Sequence, residues 1–428
     1  MTLEISKLSN GLTIITDPMA GLESAALGVW VNAGSRNETR PLMGVSHMLE
    51  HMAFKGTARR SAQAISEEIE AVGGYLNAYT SREQTAFHAR VLKSDVPLAI
   101  DLLADILTAP AFDAGELERE RQVVLQEIGQ ARDTPDDIVF DHLQSAAYGD
   151  QPMGWPILGL EETVGAFTSE NLRDYMAGHY HADSMVLVSS GAVAHEQIVR
   201  LAEEKFASLP KGAIPTPKPA AYTGGDVRAA QDLEQAHMVY AFPGQANDDP
   251  DYYVGQLYVT ALGGGMSSRL FQEAREKRGL CYSIYAFSHG YQDSGLVGIY
   301  AGTGAKEAGE ISTVIAGEMA AMAGNLSEVE LARAKAQLKS SLLMGLERPS
   351  ARSENIAGQI FSLGRIQPTQ EIIAKIDAVD CAAVRRYGEQ IMLTARPTMA
   401  AAGPIGALER YDVFAARFGG APFSRAAE

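Results

Sequence analysis

Cysteine is nearly absent from this chain: Cys281 and Cys381 are the only two in 428 residues. Two thiols cannot build the disulfide framework of a small secreted domain, and their scarcity fits a reducing compartment. Long hydrophobic runs are missing too. No stretch approaches the roughly 20 apolar residues that span a bilayer, so no transmembrane helix is expected. Basic charge is in deficit, with 36 Lys and Arg against 53 Asp and Glu and a formal net charge of −17. Phosphate backbones and anionic membranes are bound by clustered Lys and Arg, so nucleic-acid and membrane partners are not expected, whereas basic substrates would be attracted. The segment MTLEISKLSNGLTIITD carries Glu4 and Lys7 and lacks the apolar core and small-residue cleavage site of a secretory signal. A cytoplasmic location is the expectation.

What is present is an ordinary globular composition, 46% hydrophobic and 21% charged. The length exceeds what one hydrophobic core usually serves and predicts two or three domains. Pro210, Pro215, Pro217 and Pro219 punctuate PKGAIPTPKPAAYTGG, which reads as an extended connector. The expected division is residues 1–209, a linker at 210–225, and residues 226–428. Each half offers strand-like runs, a helix, another strand pair and a long helical region. FDAGELERERQVVLQEI and LSEVELARAKAQLKSSL correspond, with Glu116-Leu117 matching Glu330-Leu331 at an offset of half the chain. The chain therefore reads as an internal duplication: an α+β fold of two tandem related domains, each a mainly antiparallel sheet packed with helices.

The sharpest chemical signal is His47-Met-Leu-Glu-His51 in GVSHMLEHMAFKGT. On a helix, His47 and His51 lie four apart and face the same way, so two imidazoles can share one metal ion with Glu50 beside them. This HxxEH pattern belongs to metal-assisted hydrolysis, and a catalytic zinc needs a further protein ligand from elsewhere in the chain.

The strings HMLEHMAFKGT, GGYLNAYTSREQT, VFDHL and the Pro156-Ile157-Leu158-Gly159 stretch resemble the pitrilysin/insulinase family of inverzincin zinc metallopeptidases. The resemblance covers most of the chain and is closest to the short branch that includes the mitochondrial processing peptidase β subunit and its bacterial relatives. It implies one zinc per chain, with Glu127 as third ligand and Glu120, seven residues earlier, orienting the site. It implies Glu50 as the base, and Arg275 and Tyr282 as groups that hold the substrate backbone and the oxyanion. Gly279 between them predicts Arg275 near a helix end and Tyr282 on the following strand. Asn77 and Ala78 match an edge strand that receives substrate by strand addition, and Phe54 matches an aromatic beside the scissile bond. Asp137 and Asp141 match an acidic pair that binds an arginine upstream of the cut, although the first of that pair is usually the longer glutamate.

The second half lacks the metal motif, since the offset that aligns Glu116 with Glu330 puts Ser341 opposite Glu127. His179 and His181 alternate as on a strand but lack an accompanying ligand pattern and read as structural. Gly263-Gly264-Gly265 lacks the spacing of a nucleotide-binding loop and reads as a tight turn or a mobile loop. The expected activity is zinc-dependent endoproteolysis of extended peptides or unfolded proteins, of a processing type that cuts near basic residues. The resemblance implies a homodimer. The alternatives are a general oligopeptide-degrading peptidase and a noncatalytic scaffold subunit of the same fold.

Overall fold

The computed structural model describes residues 3–213 and 216–419. Two compact units emerge, each built around one sheet. In the first, strands β1 (Glu4–Lys7), β2 (Thr13–Pro18), β3 (Ser24–Val31), β4 (Tyr75–Thr80), β5 (Thr85–Leu92) and β6 (Met185–Gly191) are arranged in the order β1-β2-β6-β3-β5-β4. Every pairing is antiparallel except β2 with β6. In the second, β7 (Gly225–Ala230), β8 (Ala236–Pro243), β9 (Cys281–Gly290), β10 (Gly295–Thr303) and β11 (Thr398–Gly403) are arranged in the order β7-β11-β8-β10-β9. Here the one parallel pair is the first and last strands, β7 and β11.

Without β1 the two sheets have the same topology. The first strand pairs with the last, the last with the second, the second with the fourth, and the fourth with the third, which becomes the edge. Neighbouring helices also correspond. Helix α4 (Ala114–Arg132) and the helix Glu328–Gly345 begin at the separation that aligns Glu116 with Glu330. The duplicated α+β architecture is thus present in the pairing of the strands as well as in the sequence.

The central strands of the first sheet are buried on both faces, as the near-continuous apolar run of β3 requires. One face packs on α1 (Val45–Ala53), α2 (Ala62–Ala71), α3 (Val96–Thr108) and α4 through Leu27, Val29, Met48, Leu103 and Val124. The other face, with Ile15, Trp30, Ala86, Val186 and Val188, is covered by Ile356 and Ala357 of the helix Pro349–Leu363. In the second unit, α5 (Pro135–Tyr148) plays the same part. Its Val139, Leu143 and Ala147 cover Val239, Ala241, Leu296 and Ala400.

The first residues of these two covering helices, Pro135 and Pro349, repeat the separation of Ala114 from Glu328. Proline suits the first turn, where the missing N–H costs nothing. Each helix serves the unit built mainly from the other half of the chain. The units are therefore discontinuous: residues 1–130, 155–218 and 344–366 form one, and 131–154, 219–343 and 367–428 the other. The sequence reading expects contiguous blocks because it contains no signal for this exchange.

Ile214 and Pro215 of the expected linker lie outside the described residues. Part of the remaining connector is firmly held: the Tyr222 hydroxyl lies 2.9 Å from the Arg396 carbonyl and 2.7 Å from Thr398 Oγ1. Among the described residues no helix is long and apolar enough to cross a membrane.

Candidate metal centre

The centre is built on two helices of the first unit. Val45, Met48, Leu49 and Met52 of α1 are buried at helical spacing, which turns His47, Glu50 and His51 toward the open side. In α4 the buried stripe is Leu117, Val124 and Ile128, and Glu120 is buried within it. Glu127 follows two turns after Glu120, on the same face.

The first turn of α1 is tightly anchored. Buried Glu38 accepts hydrogen bonds from the Gly44 and Ser46 amides at 2.8 and 2.9 Å, satisfying two donors that the helix itself leaves free. Burial pushes this carboxyl up to about 8 against the opposing pull of those amides. Gly44 stands at φ +90°, where a Cβ would meet the Leu158 carbonyl at 2.7 Å, so the Pro156–Gly159 stretch packs directly on the start of α1. Gly44→Ala should cost about 1–3 kcal/mol of stability, through backbone strain together with that clash. Thermal unfolding beside Gly73→Ala, a site also at positive φ but with open space around it, checks this. A larger loss at Gly44 is expected; equal losses would show that the contact with Leu158 is immaterial.

His47 Nε2 and His51 Nε2 converge on one oxygen of Glu127, at 3.6 and 3.5 Å. Donor atoms about 2.1 Å from a tetrahedral zinc stand about 3.4 Å from one another, so the spacing suits a shared ion. Among the described residues this is the one group of three or more potential ligands close enough to hold a metal, all within 4.8 Å. Two imidazoles and a carboxylate are the donor set of a catalytic zinc with an open coordination position.

The protonation states fit as well. His47 is pushed down to about 3, first by burial and then by His51, so near neutral pH it is uncharged. His51 Nδ1 lies 3.0 Å from Glu120 Oε2. A carboxylate only accepts, so Nδ1 carries the proton of this bond, and in the neutral ring Nε2 is then the atom with a lone pair for a ligand bond. The side chain of Glu120 is only 7% exposed against 37% for Glu127, and both Glu120 oxygens are engaged, by His51 and by Lys55 Nζ at 2.6 Å. This arrangement suits Glu127 as ligand and Glu120 as a holder of His51.

Glu50 Oε2 accepts a hydrogen bond from Thr80 Oγ1 at 2.5 Å. Burial is the main influence on Glu50 and raises its pKa, while the Thr80 bond and His51 pull it down and Glu127 raises it. A carboxylate moved upward from its ordinary range is a better proton acceptor near neutral pH. Thr80 ends β4, the edge strand of the sheet. Tyr79, beside it, donates to Glu354, which also receives the Trp30 indole N–H at 3.3 Å, so the strand end is fastened to the covering helix Pro349–Leu363.

Asn77 and Ala78 lie on β4, in register with His88 and Phe87 of β5. The Ala78 N–H donates to Asn77 Oδ1 at 2.9 Å. Phe54 caps α1 and packs against Phe87, with ring centroids 6.1 Å apart.

The other residues assigned to substrate by the family resemblance belong to the second unit. Arg275 lies in a π-helical turn, Phe271–Lys277, and exposed Tyr282 is the second residue of β9. The guanidinium of Arg275 lies 4.7 Å from the Phe271 ring centroid and 5.0 Å from that of Tyr282. Asp137 and Asp141 lie four apart in the first half of α5. In the first unit, His179 is not on a strand: it ends the helix Ser169–His179 and stacks on Tyr175 with centroids 4.2 Å apart, while His181 precedes the next turn. The Thr168 cap, whose hydroxyl accepts from the Asn171 amide, starts a helix that outweighs the apparent alternation of GHYH.

Sequence reasoning passes over Thr80, Lys55 and Glu38. The first two sit inside the strings that carry the family resemblance, but their partners, Glu50 and Glu120, are remote from them in the sequence. Only the fold brings them together.

Residues 14–161 match the family described as Insulinase (Peptidase family M16), and residues 166–338 match the Peptidase M16 inactive domain. A probable mitochondrial-processing peptidase subunit beta of Arabidopsis thaliana is 39% identical, with 96% of this chain and 80% of that one covered. An uncharacterized zinc protease of Rickettsia felis is 41% identical, with 86% and 90% covered. A Bacillus subtilis protein named uncharacterized zinc protease YmxG is 38% identical, with 89% and 94% covered. A solved M16 inactive domain from Pseudomonas fluorescens superposes with a TM-score of 0.88 at 21% identity, covering 96% of this chain and 100% of the other. A chain of complex III2 from Candida albicans superposes with a TM-score of 0.86 at 23% identity, covering 97% and 99%. Matches across both halves, close relatives along nearly the whole length and a shared fold together show that this chain belongs to the insulinase (M16) peptidase family.

Proposed function

We propose that this chain is a zinc-dependent metalloendopeptidase that cuts extended peptides, with a preference for substrates carrying a basic residue just before the scissile bond. The observation that carries the proposal is the convergence of His47 Nε2, His51 Nε2 and a Glu127 oxygen on one point, with Glu50 on the same helix as the two histidines. His47, His51 and Glu127 would hold the zinc. When bound, zinc supplies a Lewis acid for the scissile carbonyl and acidifies the attacking water.

The chain's own groups do the rest. Glu50, oriented by Thr80, takes the proton as the water oxygen bonds to the carbonyl carbon. It returns that proton to the amide nitrogen as the C–N bond breaks. Glu120 keeps the His51 proton on Nδ1. The edge strand β4 offers backbone groups to an extended substrate near Asn77 and Ala78, in the manner of strand addition. Arg275 and Tyr282 are assigned to the substrate backbone and the developing oxyanion, a role that suits a guanidinium and a phenol held against each other.

Asp137 and Asp141 are assigned to the basic residue. A partly desolvated carboxylate–guanidinium contact contributes roughly 1.5–3 kcal/mol, or about 10- to 150-fold in kcat/KM. Changing both to Asn should erase the preference for Arg over norleucine two residues before the cut, while cleavage of Arg-free peptides and zinc content stay unchanged. Cleavage of a peptide library by wild type and this double variant, with product ends read by mass spectrometry, tests the reading. An unaltered Arg to norleucine ratio would remove the acidic pair from specificity and leave a general oligopeptidase. No cleavage of any peptide by a zinc-loaded protein would favour a scaffold role.

A further inference from the structure

We propose that Lys55 is a positioning residue of the metal centre, acting through Glu120 to hold His51 in the orientation and tautomer that bind zinc. The inference rests on the zinc peptidase reading above and extends it to a residue that touches neither ligand nor substrate.

Lys55 lies just beyond the C-terminus of α1, four residues after His51. Its Nζ stands 2.6 Å from Glu120 Oε1, while Glu120 Oε2 stands 3.0 Å from His51 Nδ1. The carboxylate is thus gripped from both sides. A carboxylate held at one oxygen can still turn about its terminal torsion, a broad and soft one. An ammonium on the other oxygen removes that freedom, and it also compensates the charge of a side chain that is only 7% exposed.

The neighbouring acid feels the Lys55 charge, but its hydrogen bonds go to a different cation. Glu116, one turn earlier on α4, is bound by Arg119 at both of its oxygens. The order Lys55, Glu120, His51 closes a ring between the end of α1 and the middle of α4, the two helices that carry the metal ligands. Partners of ligating histidines typically set metal affinity by about 10- to 100-fold. A group that fixes such a partner acts on the same quantity.

The test measures zinc affinity by competition with a chromophoric chelator, on the full chain, for wild type, Lys55→Met, Lys55→Arg, Glu120→Gln and the double variant Lys55→Met/Glu120→Gln. Thermal unfolding of the metal-free proteins runs in parallel. Lys55→Met should weaken zinc binding by about 10-fold or more, whereas Lys55→Arg should stay close to wild type. In the Glu120→Gln background Lys55→Met should add little, because the two act as one unit. A purely structural lysine would lower the unfolding temperature and leave zinc affinity unmoved. That result, or full additivity of the two changes, overturns the inference while sparing the peptidase reading. A wild-type chain that binds no zinc overturns both.

Discussion

Glu50→Gln should retain the fold and the zinc while losing about 10²–10⁴-fold in turnover, the range typical for removal of a general base. The substitution is nearly isosteric. Glutamine can still accept the Thr80 hydrogen bond that holds Glu50 at 2.5 Å, and the proposed ligands His47, His51 and Glu127 are untouched. What disappears is a carboxylate able to take the proton from water and deliver it to the leaving amine. Steady-state kcat on one peptide, alongside zinc content, separates these effects. Turnover within tenfold of wild type at full zinc content would mean that another group serves as base.

Arg275→Ala and Tyr282→Phe should each lower kcat/KM by about 10²–10³-fold without releasing zinc, as removal of an oxyanion donor does elsewhere. The motivating observation is that an exposed tyrosine on β9 and an arginine in a π-helical turn lie ring to guanidinium, 5.0 Å apart. Local departures from α-helix of this kind are frequent at functional sites. The discriminating comparison is with Glu127→Gln, for which zinc loss is expected. If the three variants lose zinc alike, Arg275 and Tyr282 are structural supports. If the two retain both zinc and full activity, their assignment to the oxyanion is wrong.

The parts of the centre that sequence made legible are those whose geometry is local. His47, Glu50 and His51 lie within one and a half helical turns, so a spacing of three and four residues already determines that they share a face. The Glu120 and Glu127 pair is likewise a two-turn repeat in one helix, although its match to the centre rests on family resemblance. Thr80 and Lys55 were hidden because their partners, Glu50 and Glu120, reach them only through the packing of β4 and α4 beside α1.

The fold shows the same division between local and long-range information. The constant offset between the halves exposed the duplication, since amphipathic helices and strand runs recur in the same order. It does not reveal that α5 and the helix Pro349–Leu363 each cover the sheet built from the opposite half of the chain. Both helices present an apolar face, but periodicity specifies only that a face must be buried, not against which of two equivalent sheets. The contact of Tyr79 and Trp30 with Glu354 joins residues from opposite halves of the chain and exists only because of that exchange.

The most direct test of the central claim is the metal content of the chain, measured by plasma mass spectrometry after zinc loading and exhaustive gel filtration, for wild type, Glu50→Gln and His47→Ala. The expected result is one zinc per chain in wild type and in Glu50→Gln, and almost none in His47→Ala. A wild-type chain without zinc, or a His47→Ala chain that keeps its full complement, would contradict the assignment of His47, His51 and Glu127 as the metal centre.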